Sequence, residues 1–187
     1  MRIVLSSVQI RAGTFTLAAD DFFSEGVHMI SGRIGSGKST LGSAIAGLSS
    51  VESGNIILEN CVSPVLLMQF PEYQVTGPTV VREISSWGIS SGNPVFSSLD
   101  VEISDRDPFT LSRGELKRLM LACVFAKDSD VLILDEPYAS LDFSAKEVLT
   151  SLLECRRGIT IVFSHETEYV PNQAQRWWIE NGGLHRE

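Results

Sequence analysis

The chain of 187 residues is long enough for one compact domain with a sizeable hydrophobic core. It is 43% hydrophobic and 20% charged, as ordinary globular proteins are, and no apolar run reaches the ~20 residues that a membrane-spanning helix needs. The formal net charge of −8 argues against a nucleic-acid-binding surface, because such surfaces place Lys and Arg against phosphates. The three cysteines show neither a disulfide framework nor a metal-ligand spacing, and they suit a reducing compartment.

The first part of the chain is predicted to consist mainly of strands. The opening segment alternates between polar and apolar residues, and it lacks the apolar block and cleavage site of a signal peptide. A glycine-rich turn follows the third strand, and a helix is expected to start near Lys38. The strands predicted here are 2–11, 14–19, 26–32, 56–60 and 63–70.

The second part changes character twice. Residues 71–110 are rich in Ser, Gly and Pro, with one predicted helix at 79–88. From Leu111 onward a helix, the buried strand 130–136, a second helix and the buried strand 158–165 follow one another. Strand–helix–strand alternation with continuous apolar strands indicates a parallel sheet covered on both faces. The sequence therefore predicts one α/β core that carries a small, mostly helical insert.

The segment GRIGSGKST, residues 32–40, fits the pattern G-x-x-x-x-G-K-[ST] between a strand and a helix. Glycines let the backbone turn its N–H groups toward phosphate oxygens, Lys38 is suited to reach the β- and γ-phosphates, and the Ser39 hydroxyl is suited to bind Mg²⁺. The alternative is a glycine-rich turn that binds nothing. The residues predicted to surround the phosphates are Gly32, Arg33, Ile34, Gly35, Ser36, Gly37, Lys38, Ser39 and Thr40.

Two acidic residues and a histidine follow the buried strands of the second half. The strand at 130–136 brings Asp135 and Glu136 to its carboxyl end, where such sheets bind ligands. Asp135 is predicted to hold Mg²⁺ and Glu136 to act as the general base toward water; strand-end solvation is the alternative. His165 ends the next strand, so its ring is predicted to reach the γ-phosphate, with simple packing as the alternative. His28 and His185 have no such context and are interpreted as structural.

A Ser and a Gly stand at the head of a predicted long helix, in the segment TLSRGELKRLML at 110–121. An exposed helix N-terminus carries a partial positive charge and unpaired N–H groups, which favour an anion. Ser112, Arg113, Gly114 and Glu115 therefore form a candidate anion-binding helix start.

In this order the motifs resemble those of the ATP-binding cassette (ABC) ATPases over nearly the whole chain. The resemblance implies an α/β P-loop NTPase fold, with a RecA-like core built on a parallel sheet, a small N-terminal antiparallel β region and a short α-helical subdomain. One domain is expected over 1–187, with a core of 1–69 and 116–187 and an insert of about 70–115 that includes the signature. The similar motifs are Gly32–Thr40 (Walker A), Gln69 (Q-loop), Leu111–Glu115 (signature), Leu132–Pro137 (Walker B), Ala139–Asp142 (D-loop) and His165 (switch histidine).

The resemblance also implies ATP and Mg²⁺ as ligands and a dimer of two ATPase subunits, either identical or different. Ser112, Gly114 and Glu115 would then act on the ATP of the partner subunit, although Arg113 and Glu115 replace the family's Gly and Gln. Phe15 is the candidate for stacking on adenine, but an alternating strand would bury it equally well. The remaining residues with implied roles are Lys38, Gln69, Glu136 and His165 in catalysis, Ser39, Gln69 and Asp135 as Mg²⁺ ligands, and Asp142 in the D-loop.

The segment MQFPEYQVTGPTVVREI, residues 68–84, is similar to the ATPases of energy-coupling factor (ECF) transporters. This resemblance implies a transport-coupled ATPase that powers import of a vitamin or metal ion, with a transmembrane coupling subunit docking near Gln69–Glu83. The chain would be cytoplasmic and held at the inner face of the membrane by protein partners, and no nucleic acid is expected. In the alternative interpretation Pro71 only sets a turn, and Glu72 and Gln74 are solvated.

Two other functions are weighed against transport. A non-transport ABC protein of the chromosome-structure type needs a long coiled coil between the Q-loop and the signature, for which residues 70–110 are too few. A weakly hydrolysing regulatory partner in a heterodimer stays open. The pair Trp177-Trp178 is expected to pack against the core rather than to meet a membrane.

Overall fold

In the computed structural model, which describes residues 1–12, 15–62, 64–166 and 168–187, the strands that can be described form one nine-stranded sheet. The predicted strand 14–19 begins at residue 14, which lies outside the described residues. The order in the sheet is β4-β1-β2-β9-β8-β3-β7-β6-β5. The strands are β1 (Arg2–Ala12), β2 (Phe15–Ser24), β3 (Gly26–Gly32), β4 (Ser53–Glu59), β5 (Val65–Leu67), β6 (Val131–Asp135), β7 (Ile159–Phe163), β8 (Gln175–Glu180) and β9 (Gly183–Arg186).

The helices lie between the strands of the parallel part and within the insert. A turn of 3-10 helix precedes α2 at Pro71–Tyr73 and another precedes α4 at Pro108–Thr110. The helices are α1 (Lys38–Ile45), α2 (Val80–Ser86), α3 (Pro94–Ser98), α4 (Arg113–Ala126) and α5 (Phe143–Cys155).

The sheet has a parallel part and an antiparallel part, which confirms the predicted fold class. Strands β8, β3, β7, β6 and β5 are parallel neighbours, whereas β1 pairs antiparallel with both β2 and β4. Strand β9 joins the two parts, because it pairs antiparallel with β8 and parallel with β2 through Ala18 and Gly183. The sequence did not predict this junction, since one short pairing between distant segments leaves no local pattern.

Both faces of the parallel part are covered, as the apolar strands predicted. Every residue of β6 and β7 is buried. Leu132 and Leu134 of β6 belong to the hydrophobic core that includes α4, and Ile133 belongs to the core that includes α1. Alternate side chains of one strand thus enter two different cores, so such a strand cannot show a polar alternation.

The insert contains more helix than its sequence suggested. Helix α2 lies within the predicted segment 79–88, with Thr79 as its N-cap. Helix α3 was not predicted, although Asn93 accepts a hydrogen bond from Val95 N as an N-cap and Pro94 follows at the first helical position. Helix α4 crosses the predicted boundary between insert and core, so the division of the chain into 1–69, 70–115 and 116–187 stays a prediction.

Candidate nucleotide-binding site

The glycine-rich loop between β3 and α1 is closed on itself by Lys38. Its Nζ donates to the backbone carbonyls of Gly32 (2.8 Å) and Arg33 (3.3 Å), across the base of the loop. Gly35 and Gly37 have φ values of 78° and 97°, in the left-handed region that glycine adopts without strain. A Cβ at Gly32 would lie 2.8 Å from Ser36 Oγ, so this position has no room for a side chain. The loop therefore has the compact, backbone-lined form that a phosphate group needs.

Two opposing effects act on the pKa of the Lys38 amine. Burial lowers its pKa below the ordinary value, while the negative charges of Glu136 and Asp135 oppose that shift. The Lys38 amine is thus held close to two carboxylates without forming a direct ion pair with either. A phosphate entering the loop would meet this cation at its base.

Asp135 is the last residue of β6 and faces the start of α1. Burial raises the pKa of Asp135, and a hydrogen bond with the Ser39 side chain acts in the opposite direction. A hydroxyl and a carboxylate in one cavity are hard oxygen donors, the type that Mg²⁺ prefers. The residues present therefore fit the predicted magnesium site.

Glu136 and His165 meet across the ends of β6 and β7. Glu136 has a φ of 46°, and its N–H donates to Phe163 O at 2.8 Å, which turns the side chain toward the loop. Glu136 Oε1 lies 3.3 Å from His165 Nε2, and that nitrogen lies 3.1 Å from Lys38 Nζ. When His165 carries its proton on Nδ1, Nε2 accepts from the lysine. Glu136 Oε1 is buried and makes no hydrogen bond within the described residues, so it is available to accept one from a ligand or water.

These groups line one cavity of about 760 Å³. It brings together most of the site predicted from sequence, including Phe15, Gln69, Asp135, Glu136 and His165. Ala139, the first residue of the predicted D-loop, also lines it. From the glycine-rich segment the lining residues are Ile34, Gly35, Ser36, Gly37, Lys38, Ser39 and Thr40, whereas Gly32 and Arg33 line an adjoining cavity.

Gln69 lies in a bend two residues after β5. The segment before it is fixed by Gln74, whose Oε1 accepts from Met68 N (2.8 Å) and whose Nε2 donates to Leu66 O (2.8 Å). The Gln74 side chain therefore pairs with the backbone at the end of β5 as a neighbouring strand would. The interpretation of Gln74 as merely solvated is wrong. Lys117 of α4, which is buried, donates to the Gln69 carbonyl over 3.5 Å. Sequence reasoning missed Lys117, because a lysine at helical spacing looks like any solvated residue.

The predicted signature forms a capped helix start away from this cavity. Ser112 Oγ accepts from Glu115 N (3.3 Å), and Glu115 Oε2 accepts from Ser112 N (2.7 Å), a capping box at the start of α4. Hydrogen bonds to the Glu115 carboxylate from the side chain and the backbone N–H of Ser112 lower the pKa of Glu115, and Arg106 lies 3.5 Å from that carboxylate. The Glu115 carboxylate therefore folds back onto its own helix. Among the residues described, the cavity lining includes neither Ser112, Gly114 nor Glu115.

Gly114 and Asp142 bring the signature and the predicted D-loop together. A Cβ at Gly114 would lie 3.0 Å from Ser140 O, so this glycine permits close contact between the two segments. Asp142 is the N-cap of α5, accepting from Ala145 N at 2.8 Å. Its other oxygen lies 3.8 Å from Arg118 of α4.

Phe15 is the first residue of β2 and is half-buried. It lines the cavity at its edge together with Ile34 and Gly35 of the loop. The expectation that an alternating strand would bury this ring is thus only partly met. Its role in stacking stays a prediction.

Comparison with known proteins gives the same assignment as the motifs. A family profile described as ABC transporter matches residues 88–139. The energy-coupling factor transporter ATP-binding protein EcfA2 of Clostridium perfringens is 35% identical, in a match that covers 81% of this chain and 64% of that protein. The EcfA2 protein of Bacillus subtilis is 33% identical, over 73% of this chain and 61% of its own length. The chain is thus similar to ABC transporter ATP-binding proteins over most of its length.

Solved structures share the fold of this chain. A putative cobalt transport ATP-binding protein superposes with a TM-score of 0.79 at 22% identity, over 97% of this chain and 78% of that chain. An ATP-binding cassette solved as a dimer with ADP and Pi superposes with a TM-score of 0.78 at 18% identity, over 99% of this chain and 97% of that chain. This chain spans less than two thirds of the length of the EcfA2 proteins it matches. Within its described part, no helix is long and apolar enough to cross a membrane.

Proposed function

We propose that the chain binds ATP with Mg²⁺ and hydrolyses it, as the ATPase subunit of an ECF-type importer of a vitamin or metal ion. The observation that carries the proposal is the convergence of one lysine, two carboxylates and one histidine on the cavity beside the glycine-rich loop. Glu136 Oε1 is buried and makes no hydrogen bond within the described residues. A purely structural turn does not require such an oxygen, whereas a site that binds water or a ligand does. The similarity to EcfA2 proteins supports the transport branch.

Each group has a proposed task. The loop N–H groups and Lys38 hold the phosphates, and Ser39, Gln69 and Asp135 hold Mg²⁺. When bound, this ion supplies positive charge that neutralises the phosphate oxygens. Glu136 takes a proton from the attacking water, and His165, 3.3 Å from its carboxylate, positions that water and the γ-phosphate. Phe15 stacks on the base.

The second half of each site is proposed to come from a second ATPase subunit, identical or different. In that arrangement Ser112, Gly114 and Glu115 of one subunit face the phosphates bound by the other, and Asp142 lies beside them. Glu115 brings a carboxylate to this surface, where the resemblance predicted an uncharged amide. The fold-back of Glu115 onto Ser112, together with the nearby Arg106, offsets part of that repulsion. This carboxylate is the specific observation that favours a heterodimer with one weaker site as the second candidate.

The transmembrane coupling subunit is proposed to dock near Gln69–Glu83. Phe70 and Tyr73 are exposed there and contact each other edge to face, with 6.3 Å between ring centroids. They border a cavity of about 200 Å³ whose lining also includes Met68 and Leu66. An apolar helix end from a partner would cover these rings. Such docking would place the chain at the inner face of the membrane.

The experiment compares Glu136→Gln with wild type in two measurements. The first is ATP turnover by the assembled transporter, and the second is the molar mass in solution with and without Mg-ATP. The amide cannot accept the proton, so turnover is expected to fall at least about 100-fold, in line with loss of a general base. Glu147→Gln, on the exposed face of α5, is the matched control and should turn over normally. Unchanged turnover in Glu136→Gln would refute the proposed role.

The molar mass then identifies the partner. An ATP-dependent doubling of the Glu136→Gln mass is expected for a homodimer. A persistent monomer that still binds ATP would show that the signature serves a different subunit.

A further inference from the structure

His165 is held by few contacts, although its ring is proposed to act beside the γ-phosphate. It lies two residues after the end of β7, and its side chain is 46% exposed. Its backbone N–H donates to Glu136 Oε2 at 3.3 Å, and its Nε2 lies 3.1 Å from Lys38 Nζ. Both partners are also proposed to engage the ligand, so a bound nucleotide changes the contacts of the ring. A constant position of His165 therefore requires an anchor outside the cavity.

The next residue, Glu166, provides such an anchor. Its Oε1 accepts a hydrogen bond from Lys146 Nζ at 2.7 Å. The Lys146 and Glu166 side chains are only 18% and 33% exposed, so water and salt screen this ion pair less than a pair at the surface. The backbone N–H of Glu166 donates to Ser164 Oγ at 3.0 Å. The residue that follows His165 is thus fixed through both its backbone and its side chain.

Lys146 is itself held in place on α5. It lies in the first turn of that helix, and its N–H donates to the carbonyl of the N-cap residue Asp142 at 3.0 Å. Its ammonium group lies 4.9 Å from the centre of the Tyr169 ring, within range of a cation–π contact. Tyr169 stacks on the fully buried Tyr138, with ring centroids 5.7 Å apart. One packed cluster therefore joins the start of α5 to the segments that follow β6 and β7.

Glu166 lies next to the proposed catalytic groups but outside the nucleotide-binding cavity. A separate cavity of about 400 Å³ is lined by Glu136, Ala139, His165, Glu166 and Glu168. The first three of these also line the nucleotide-binding cavity, whereas Glu166 is not among the described residues that line it. Glu166 is therefore placed to act on His165 and not on a nucleotide held by the glycine-rich loop.

We propose that Glu166 is a positioning residue for ATP hydrolysis, which places His165 through its ion pair with Lys146. The inference rests on the proposed function, because Glu166 has no other task than the placement of His165. Lys146 follows the predicted D-loop residue Asp142 by one turn, so the ion pair makes the position of His165 depend on that of the D-loop. A reacting group that is misplaced by about 1 Å can cost about 100-fold in rate.

The test measures ATP turnover by the assembled transporter, with kcat and KM determined separately. Glu166→Ala is expected to lower kcat by about 10- to 100-fold through misplacement of His165, while KM for ATP stays within about twofold of wild type. Glu166→Gln should lose less than Glu166→Ala, because its amide oxygen still accepts from Lys146. Glu168→Ala is the matched control and should keep the wild-type kcat. Glu168 is exposed and lines the same cavity, but Lys146 pairs with Glu166.

Two combinations of variants separate positioning from damage to the fold. In a His165→Ala background, Glu166→Ala should slow hydrolysis by no more than about a further twofold, because its effect passes through His165. A variant that damaged the fold would slow hydrolysis by the same factor in both backgrounds. Lys146→Met combined with Glu166→Ala should be no slower than the slower of the two single variants. Single-turnover rates with the protein in excess keep the slow variants measurable.

Three results would overturn the inference and leave the proposed function intact. The first is a wild-type kcat in Glu166→Ala. The second is a loss that appears in KM alone, because Glu166 would then act on nucleotide binding. The third is multiplication of the losses of Glu166→Ala and His165→Ala, since the two residues would then act independently. Absence of ATP turnover by the wild-type transporter would overturn both the inference and the proposed function.

Discussion

Glu83 is a buried carboxylate at the centre of the insert, and its replacement gives the sharpest stability prediction. It lies in α2 and is fully buried. Its Oε2 accepts from the backbone N–H groups of Thr76 (2.8 Å) and Gly77 (2.5 Å), and its Oε1 accepts from Trp87 Nε1 (2.8 Å). One side chain thus satisfies three donors and fixes the loop that leads from the Q-loop into α2.

The magnitude follows from the number of donors that lose their acceptor. In Glu83→Gln one oxygen stays and the other becomes an NH₂ group, which is itself a donor. The cheapest arrangement keeps the oxygen toward the two backbone groups and turns the NH₂ toward the indole of Trp87. One donor left without its acceptor costs about 1–3 kcal/mol, so Glu83→Gln is expected to lose about 2 kcal/mol of stability. Glu83→Ala leaves all three donors without an acceptor and should lose about 6 kcal/mol at about 2 kcal/mol each, a large part of the 5–15 kcal/mol typical of a domain.

The assay is urea unfolding at pH 7 followed by far-UV circular dichroism, with the free energy of unfolding extrapolated to water. Glu147→Gln, on the exposed face of α5, is the control and should stay within about 0.5 kcal/mol of wild type. The reasoning fails if Glu83→Gln is as stable as Glu147→Gln, because the Glu83 carboxylate would then contribute nothing beyond its shape.

Three further outcomes are expected. Burial lowers the pKa of His28 below its ordinary 6.5, and its Nδ1 accepts from Trp177 Nε1 at 3.1 Å. As the pH falls from 7 to 5, His28 binds a proton in the unfolded chain but not in the folded chain, so the free energy of unfolding should fall. The decrease should be smaller in His28→Gln, and urea unfolding at both pH values measures it. A methyl group added by Gly42→Ala would lie 2.7 Å from the Phe163 ring, so the midpoint of thermal unfolding should drop by several degrees; an unchanged midpoint would show that the ring moves freely. Burial lowers the pKa of Lys117 from 10.5 to about 8, which costs the charged form about 3 kcal/mol on folding. In metal-free buffer Lys117→Met should therefore be more stable than wild type at pH 7 by up to about 3 kcal/mol, with the difference shrinking between pH 8 and 10.5; a less stable variant at pH 7 contradicts this.

The local parts of the site could be predicted from sequence because local chemistry dictates them. A glycine-rich turn between a strand and a helix is a short-range pattern, and the observed loop lies where residues 32–40 placed it. The acids at 135–136 and His165 follow strands that are apolar throughout, so their position at one sheet edge follows from parallel pairing. That pairing brings Glu136 within 3.3 Å of His165.

The parts that escaped prediction depend on contacts between distant segments. Strand β9 is only four residues long, and its place beside β2 depends on a single residue pair between segments far apart in the sequence. The exposure of Trp178 and the burial of Lys117 are set by which face of β8 and of α4 meets a neighbour. An indole looks like core and a lysine looks like surface when only the sequence is available.

Helix α4 connects three predicted motifs through its N-cap and residues of its first two turns. Its capped N-terminus carries the signature, and Lys117 meets the Gln69 carbonyl. The neighbouring Arg118 lies 3.8 Å from the Asp142 carboxylate, whose other oxygen caps α5. A shift of α4 along its axis would lengthen both contacts at once, since the two residues are adjacent on one rigid helix. These contacts give a movement of the predicted signature a route to the predicted Q-loop and D-loop, and the proposed ATPase would use that route if binding at a partner's site alters its own.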